Sequence, residues 1–457
     1  MDQEYADFLA NKVPIAQSCG MEPYPFHAPL FDFQKAATEF CLRRGRAALF
    51  LDTGLGKTIC ELAFASQAGE ATNGCALILT PLAVARQIER EAARFGFAAF
   101  VVRDAGEVRQ GINICNYDRL DKLDPSRFGC VVLDESSILK SFMGKTTRAL
   151  IEAFKDTPFR LAATATPAPN DHIELGTHAE FLGVMAQSEM LVRWFINDSN
   201  DTGVWRLKGH AVEPFWDWCA SWAVMAETPE DMGFDGSRFV LPPMRIVRHR
   251  AEASQVPTDG LFGFNVSATA VHDLKRHTAK ARADVVAELI AKSPADYWVI
   301  WCDTDYEAEA IAKAGLPNMR EVRGSQPLER KENTLAAFSA GEFGQILTKP
   351  RIAGHGLNWQ HVHKMAFVGR SFSYEQWYQA IRRCWRFGQT EMVEVHIIVA
   401  EGEDQIGRVI DRKAEDHAIM KAAMRAATKR NFGDDSRTRV PYNPTHQGRL
   451  PSWLSAA

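Results

Sequence analysis

No stretch of this 457-residue chain approaches the run of ~20 apolar residues that a bilayer-spanning helix needs. Its first residues, with Asp2, Glu4 and Asp7, contain no basic segment leading into an apolar one, so a secretory leader is not predicted. Nine cysteines are scattered singly from Cys19 to Cys384 without a Cys-x-x-Cys pair, which argues against both a disulfide framework and a cysteine zinc site. A surplus of positive charge is missing too. With 53 Lys and Arg against 57 Asp and Glu the net charge is −4, so any attraction to nucleic acid must come from local basic patches. These absences predict a soluble, cytoplasmic protein in a reducing compartment. What remains is ordinary globular make-up, 46% hydrophobic and 24% charged, at a length that suits two or three domains.

The most informative stretch is Asp52-Thr53-Gly54-Leu55-Gly56-Lys57-Thr58, set between the apolar run Ala47 to Leu51 and the helix-compatible run Ile59 to Ala65. Strand, loop and helix in that order form a phosphate cradle. Gly54 and Gly56 let the backbone close round an anion, and the helix N-terminus aims amides at it. Lys57 can neutralise the β- and γ-phosphates of ATP, and Thr58 can ligate Mg2+. A strict phosphate loop has glycine where Leu51 stands, so this is a shortened form. Upstream, Gln34 follows Leu30-Phe31-Asp32-Phe33 in a helical pattern and could present both an acceptor and a donor to adenine.

Apolar runs recur after the loop at Ala76–Leu79, Phe100–Val102, Ile112–Cys115, Cys130–Leu133 and Phe159–Ala163, separated by helical segments. Alternation of this kind predicts a parallel sheet covered on both faces, with chemistry at the strand carboxyl ends. Those ends carry Thr80-Pro81, Asn116-Tyr117, Asp134-Glu135-Ser136-Ser137 and Thr164-Ala165-Thr166-Pro167. Beside a phosphate loop, Asp134 can hold Mg2+ while Glu135 orients and deprotonates the attacking water. Between Trp194 and Trp222 five tryptophans crowd together with Arg193, Arg206 and Lys208 interleaved. Two readings fit: a small helical subdomain with an aromatic core, or a platform on which bases stack.

The second half repeats the alternating pattern at Tyr297–Cys302, Gln345–Thr348, Met365–Val368 and Val393–Val399, without a phosphate loop. It also contains Lys349-Pro350-Arg351-Ile352-Ala353-Gly354-His355-Gly356-Leu357-Asn358. Further on, Gln379-Ala380-Ile381-Arg382-Arg383-Cys384-Trp385-Arg386-Phe387-Gly388-Gln389 spaces arginines three apart on one helix face. His361-x-His363 could ligate a metal, but with no carboxylate or thiol partner a structural role fits better.

In order and spacing these segments resemble the motifs of helicase superfamily two, and within it the Snf-type, chromatin-remodeller-like DNA translocases. Leu30–Gln34 is similar to the Q motif, Asp52–Thr58 to motif I, Thr80-Pro81 to Ia, Asp134–Lys140 to II, Thr164–Asp171 to III, Lys349–Asn358 to V and Gln379–Gln389 to VI. Departures occur at Ser137, where the family usually has histidine, at Ala165, where it has glycine, and at Lys349 and Pro350, where it has Ser and Thr. The resemblance implies an α/β fold of two RecA-like parallel-sheet domains with a small helical insertion. It implies ATP and Mg2+ as cofactors, Thr58 and Asp134 as metal ligands, and Gln34, Thr53, Gly54, Leu55, Gly56, Lys57, Thr58 and Gly356 as nucleotide contacts. Arg383 and Arg386 would be arginine fingers reaching the γ-phosphate across the cleft, joining Lys57, Asp134 and Glu135 as catalytic residues. Thr80, Pro81, Asn116, Thr164, Thr166 and Asn358 would face nucleic acid.

The expected organisation is an arm over 1–25, a first lobe over 26–183, a tryptophan-rich helical segment over 184–256, a linker over 257–275, a second lobe over 276–430 and a tail over 431–457. The expected activity is ATP hydrolysis coupled to movement along duplex DNA by a monomer, in a minimal bacterial or phage form. A strand-unwinding DNA or RNA helicase is the alternative within the class. A nucleotide-gated nucleic-acid-binding module without turnover is the alternative outside it.

Overall fold

The computed structural model describes residues 16–81, 84–141, 143–197, 205–251, 268–354, 357–400 and 404–432. The expected nucleotide contact Gly356 lies outside them, as do most of the arm, the tail beyond residue 432 and the first part of the linker.

Six apolar strands of the first half form β1 (Arg46–Leu51), β2 (Cys75–Thr80), β3 (Ala99–Val101), β4 (Gly111–Asn116), β5 (Cys130–Asp134) and β6 (Phe159–Ala163). A short antiparallel hairpin follows, β7 (Phe195–Asn197) with β8 (Trp205–Leu207). Next comes β9 (Ala223–Ala226), which completes a seven-stranded parallel sheet in the order β3-β4-β2-β5-β6-β1-β9. The helices of this part are α1 (Asp32–Arg44), α2 (Lys57–Glu70), α3 (Ala85–Phe95), α4 (Lys145–Phe154), α5 (Leu175–Leu182), α6 (Gln187–Trp194) and α7 (Val212–Ala220). They cover both faces, because a strand can rejoin a parallel neighbour only by crossing back over the sheet.

The second sheet has six parallel strands in the order β10-β15-β14-β11-β13-β12. They are β10 (Met244–Ala251), β11 (Trp298–Trp301), β12 (Met319–Glu321), β13 (Gln345–Thr348), β14 (Lys364–Phe367) and β15 (Val393–Ala400). Around them lie α8 (Ala268–Ala291), α9 (Asp305–Lys313), α10 (Leu328–Ser339), α11 (Pro350–Ala353), α12 (Tyr374–Ile381) and α13 (Asp404–Asn431). Two RecA-like parallel α/β domains are thus present, and among the described residues no helix is long and apolar enough to cross a membrane.

Residues 184–256, expected as one helical segment, divide between the two sheets. β9 pairs with β1 from Ala48↔Ala223 to Leu51↔Ala226, and β10 runs in register with β15 from Met244↔Val393 to Ala251↔Ala400. Charge hid β10: Arg245 pairs with Glu394 and Arg248 with Asp411, which an edge strand open to water tolerates. The expected linker is shorter as well, since α8 is helical from Ala268.

The tryptophans settle into the first domain's core. Trp194, Trp216, Trp218 and Trp222 are buried around Phe215, and the Trp194 and Trp218 rings lie 4.5 Å apart. The base-stacking platform is therefore not what these side chains form. Helix α13 links the domains: Ile406 and Ile410 pack on Tyr374 in the second, while Met420, Met424 and Ala427 enter the core of the first. Trp218→Ala is expected to cost ~3–5 kcal/mol, the range for truncating a buried aromatic, read as a lower urea midpoint of the first domain. A loss below about 1 kcal/mol would contradict a core role.

Candidate nucleotide site at the interface of the two domains

The loop between β1 and α2 turns on two glycines in the left-handed region, Gly54 at φ 96° and Gly56 at φ 78°. Gly56 is the N-cap of α2, so the first free amides of that helix open into the loop. A side chain at either glycine would collide. At Gly56 a Cβ would strike the Gln34 amide, and at Gly54 it would come within 2.9 Å of the Phe387 nitrogen, in the second domain. Lys57 donates from Nζ to the carbonyl of Leu51 at 2.9 Å. Its pKa is held down by burial, against the opposing pull of Glu135, Asp52, Glu61 and Asp134.

Gln34 braces this loop. Its Nε2 donates to Leu55 O at 2.8 Å and its Oε1 accepts from Phe31 N at 2.9 Å. Half of the donor and acceptor capacity expected to read adenine is spent on the chain itself, leaving one Nε2 N–H and one Oε1 lone pair.

At the end of β5, Asp134 is buried and its Oδ2 accepts the Thr80 hydroxyl at 2.7 Å, while Tyr117 donates to the Asp134 carbonyl at 2.7 Å. Burial, then the neighbouring Glu135, pushes the Asp134 carboxyl up to about 7. Glu135 adopts a left-handed backbone (φ 52°, ψ 51°), a conformation of appreciable cost for a residue with a side chain. That turn separates the directions of the two adjacent carboxylates. The Thr164 hydroxyl donates to Glu135 Oε2 at 3.5 Å.

Three of the expected nucleic-acid contacts are corrected here. Thr80, Thr164 and Thr166 are each 0% exposed, and Thr80 and Thr164 spend their hydroxyls on Asp134 and Glu135. All three side chains are covered in this structure, and none of them presents a surface to a polynucleotide. Pro81 and Asn116 are half-buried and Asn358 is exposed, so only these three reach the surface.

Sequence reasoning missed Glu61. One turn into α2 from Lys57, it is 0% exposed and neither carboxylate oxygen has a hydrogen-bond partner. Burial first, then Asp134, pushes its pKa well up. The spacing of four from Lys57 on a helix was the available signal. Glu61, Asp134 and Glu135 thus gather round one ammonium, an acid surplus in a dry place. Among the described residues no three acidic, His or Cys side chains are grouped so as to hold a metal by themselves, and of this neighbourhood the Asp134 carboxylate and the Thr58 hydroxyl are the hard oxygen donors of the kind a divalent cation takes.

The second domain closes over the loop. Arg383 donates from Nη1 to Leu357 O at 3.2 Å and Arg386 from Nη1 to the same carbonyl at 3.1 Å. Arg383 also feels Glu135 and Asp134 electrostatically. Burial and the nearby Arg383 bring Arg386 down to about 10. A second residue was missed here, Arg382, whose Nη2 donates to Thr53 O at 2.6 Å. The extra arginine in Arg382-Arg383-Cys384-Trp385-Arg386 was visible in the sequence, but the resemblance assigned no role to it.

An acid with a raised pKa favours folding below its unfolded value and loses that benefit as pH rises through the folded value. For Asp134 this window runs from about 4 to about 7. Asp134→Asn is therefore expected to stabilise the nucleotide-free protein more at pH 8 than at pH 5, by about 3 kcal/mol in denaturant melts. An equal effect at the two pH values would refute the burial of this charge.

Residues 281–388, which include both Arg383 and Arg386, match the helicase conserved C-terminal domain. A curated bovine (Bos taurus) protein, "SWI/SNF-related matrix-associated actin-dependent regulator of chromatin subfamily A-like protein 1", is 24% identical over 428 residues. The match takes in 84% of this chain and 44% of the relative, so the chain spans less than half that protein's length. Among solved structures, the "Sulfolobus solfataricus SWI2/SNF2 ATPase core in complex with dsDNA" is similar over 92% of this chain and 98% of that one, at 17% identity and a TM-score of 0.41.

Proposed function

We propose that the chain is a nucleic-acid-dependent ATPase of the Snf type that hydrolyses ATP between its two domains and uses the cycle to move along duplex DNA. One observation carries the reading: the turn holding Arg386 and Phe387 lies directly on Gly54 of the phosphate loop, across the domain interface. A site made of two halves responds to whatever sets the distance between them, and a polynucleotide crossing both domains would do so.

In this reading the loop amides and Lys57 bind the triphosphate, while Thr58 and Asp134 hold Mg2+. When bound, the ion neutralises charge on the β- and γ-phosphates. Glu135 orients the attacking water and takes its proton, its side chain steadied by Thr164. Arg383 and Arg386 turn from Leu357 O toward the γ-phosphate as charge develops there, where a planar, permanently charged fork is well suited. Gln34 holds the loop in shape and offers its remaining N–H to the base. Pro81, Asn116 and Asn358 are the surface residues proposed to meet the DNA backbone. The bovine relative is named as a regulator of chromatin, and a duplex substrate is consistent with that.

The direct test is the ATPase rate with duplex DNA, single-stranded DNA, RNA and no polynucleotide. Duplex is expected to stimulate most, and equal rates with and without it would overturn the translocase reading. In the same assay Arg386→Ala is expected to lower turnover on the order of 10³-fold with ATP affinity within a few-fold of wild type. Arg386→Lys should not rescue it. Turnover within three-fold of wild type would remove Arg386 from the chemistry.

A further inference from the structure

Asp52, two residues before the first loop glycine, is densely contacted. It directly follows β1, and four donors converge on its carboxylate. Thr53 N reaches Oδ1 at 2.7 Å and the Tyr378 hydroxyl reaches the same oxygen at 2.6 Å. On Oδ2 lie Arg382 Nη2 at 3.2 Å and Lys421 Nζ at 3.5 Å. The side chains of Asp52, Arg382 and Lys421 are 8%, 5% and 4% exposed, so these charges meet almost without water. Lys421 also donates to the Tyr378 oxygen at 3.1 Å and pairs with Glu227 at 2.8 Å. Arg425 binds the other Glu227 oxygen at 2.8 Å.

The members divide by domain. Asp52 and Glu227 belong to the first. Tyr378 and Arg382 lie on or just after α12 of the second. Lys421 sits on the half of α13 that is embedded in the first, between Met420 and Met424. With Asp231, which lies 3.6 Å from Arg425, three negative and three positive charges balance while the domains are together. Separating them withdraws Arg382 and the Tyr378 hydroxyl and leaves Asp52 with Lys421 and the Thr53 amide. A buried charge that loses part of its shell is costly, so partial opening is disfavoured and the arrangement is two-state. Arg382 at the same time grips Thr53 O, which ties loop shape to closure.

We infer that Tyr378 and Arg382 are positioning residues for the phosphate loop, acting through Asp52 as a latch whose fixed half is Lys421. The latch is separate from the fingers, because neither Arg383 nor Arg386 contributes to it. Its effect on ATP rests on the proposed function, whereas its effect on the loop and on closure does not. It sets the loop in a nucleotide-ready shape only when the second domain is seated, so ATP affinity reports closure before any chemistry occurs.

The test uses the full chain without nucleotide. Arg382→Gln and Tyr378→Phe are expected to raise hydrogen exchange at the amides of residues 52–58 by tenfold or more, with a larger radius of gyration in X-ray scattering. Exchange in β11, β13 and β14 should stay at wild-type level, which separates loss of the latch from loss of folding. In ATPase assays Arg382→Gln is expected to raise KM for ATP at least fivefold while kcat at saturation stays within about threefold, the reverse of Arg386→Ala. Tyr378→Phe removes one hydroxyl and should give the same pattern more weakly, and it remains informative if Arg382→Gln does not fold. Wild-type exchange at 52–58 in both variants would overturn the latch, as would a loss confined to kcat. A wild-type chain without ATPase activity would instead refute the proposed function, and the exchange result would still decide the latch.

Discussion

Parallel pairing is the constraint from which the rest follows. Each described strand of either sheet has parallel neighbours, so every carboxyl end of a sheet falls on one rim. In the first domain that rim brings together the phosphate loop after β1, Asp134 at the end of β5, Thr164 after β6 and Thr80 at the end of β2. Lys57 and Asp134 become neighbours across the sequence because only β6 lies between β1 and β5. The second sheet carries its own rim, where Lys349 follows β13 and Arg370 lies just beyond β14. Facing the two domains across one interface then produces a site that neither contains alone.

The cost of that site is electrostatic. A dry pocket with Glu61, Asp134 and Glu135 against one lysine is unstable on its own terms, and part of the tension is taken up by carboxyls whose pKa values are pushed upward. Hydroxyls from Thr80 and Thr164 take up some of the rest. The left-handed backbone at Glu135 is strain of another kind, held by a fully buried strand on one side and the Ser136–His178 contact at 3.2 Å on the other. Active sites tolerate such arrangements where a ligand will complete them.

Much of this could be read from the chain. The strands of the first sheet announced themselves as apolar runs, and the loop, the Asp134-Glu135 pair and the arginine helix were visible as spaced residue types. What could not be read was decided by tertiary partners. β9 lay hidden in an aromatic segment because Trp222 to Ala226 looks like any buried run. β10 lay hidden because its arginines are neutralised by Glu394 and Asp411, far along the sequence. Thr80 and Thr164 read as surface residues at strand ends, yet each is turned inward by a carboxylate that only the folded sheet supplies. Arg382 and Asp52 were each visible and unremarked, since nothing in a sequence links positions on opposite sides of a domain interface.

Helix α13 has a consequence for how the protein is made. With 28 residues it is about 42 Å long, and its far end fills the first domain's core with Met420, Met424 and Ala427. Thr428 also accepts a hydrogen bond from Met225 N of β9 through its hydroxyl, at 3.2 Å. The first domain is therefore synthesised with an apolar groove that stays open to water until the second has been translated and α13 has emerged. During synthesis at roughly 5–20 residues per second, that groove is exposed for some ten to forty seconds. The nascent chain is most prone to aggregation in this interval, and a ribosome stalled before Met420 leaves a first domain that cannot close its core.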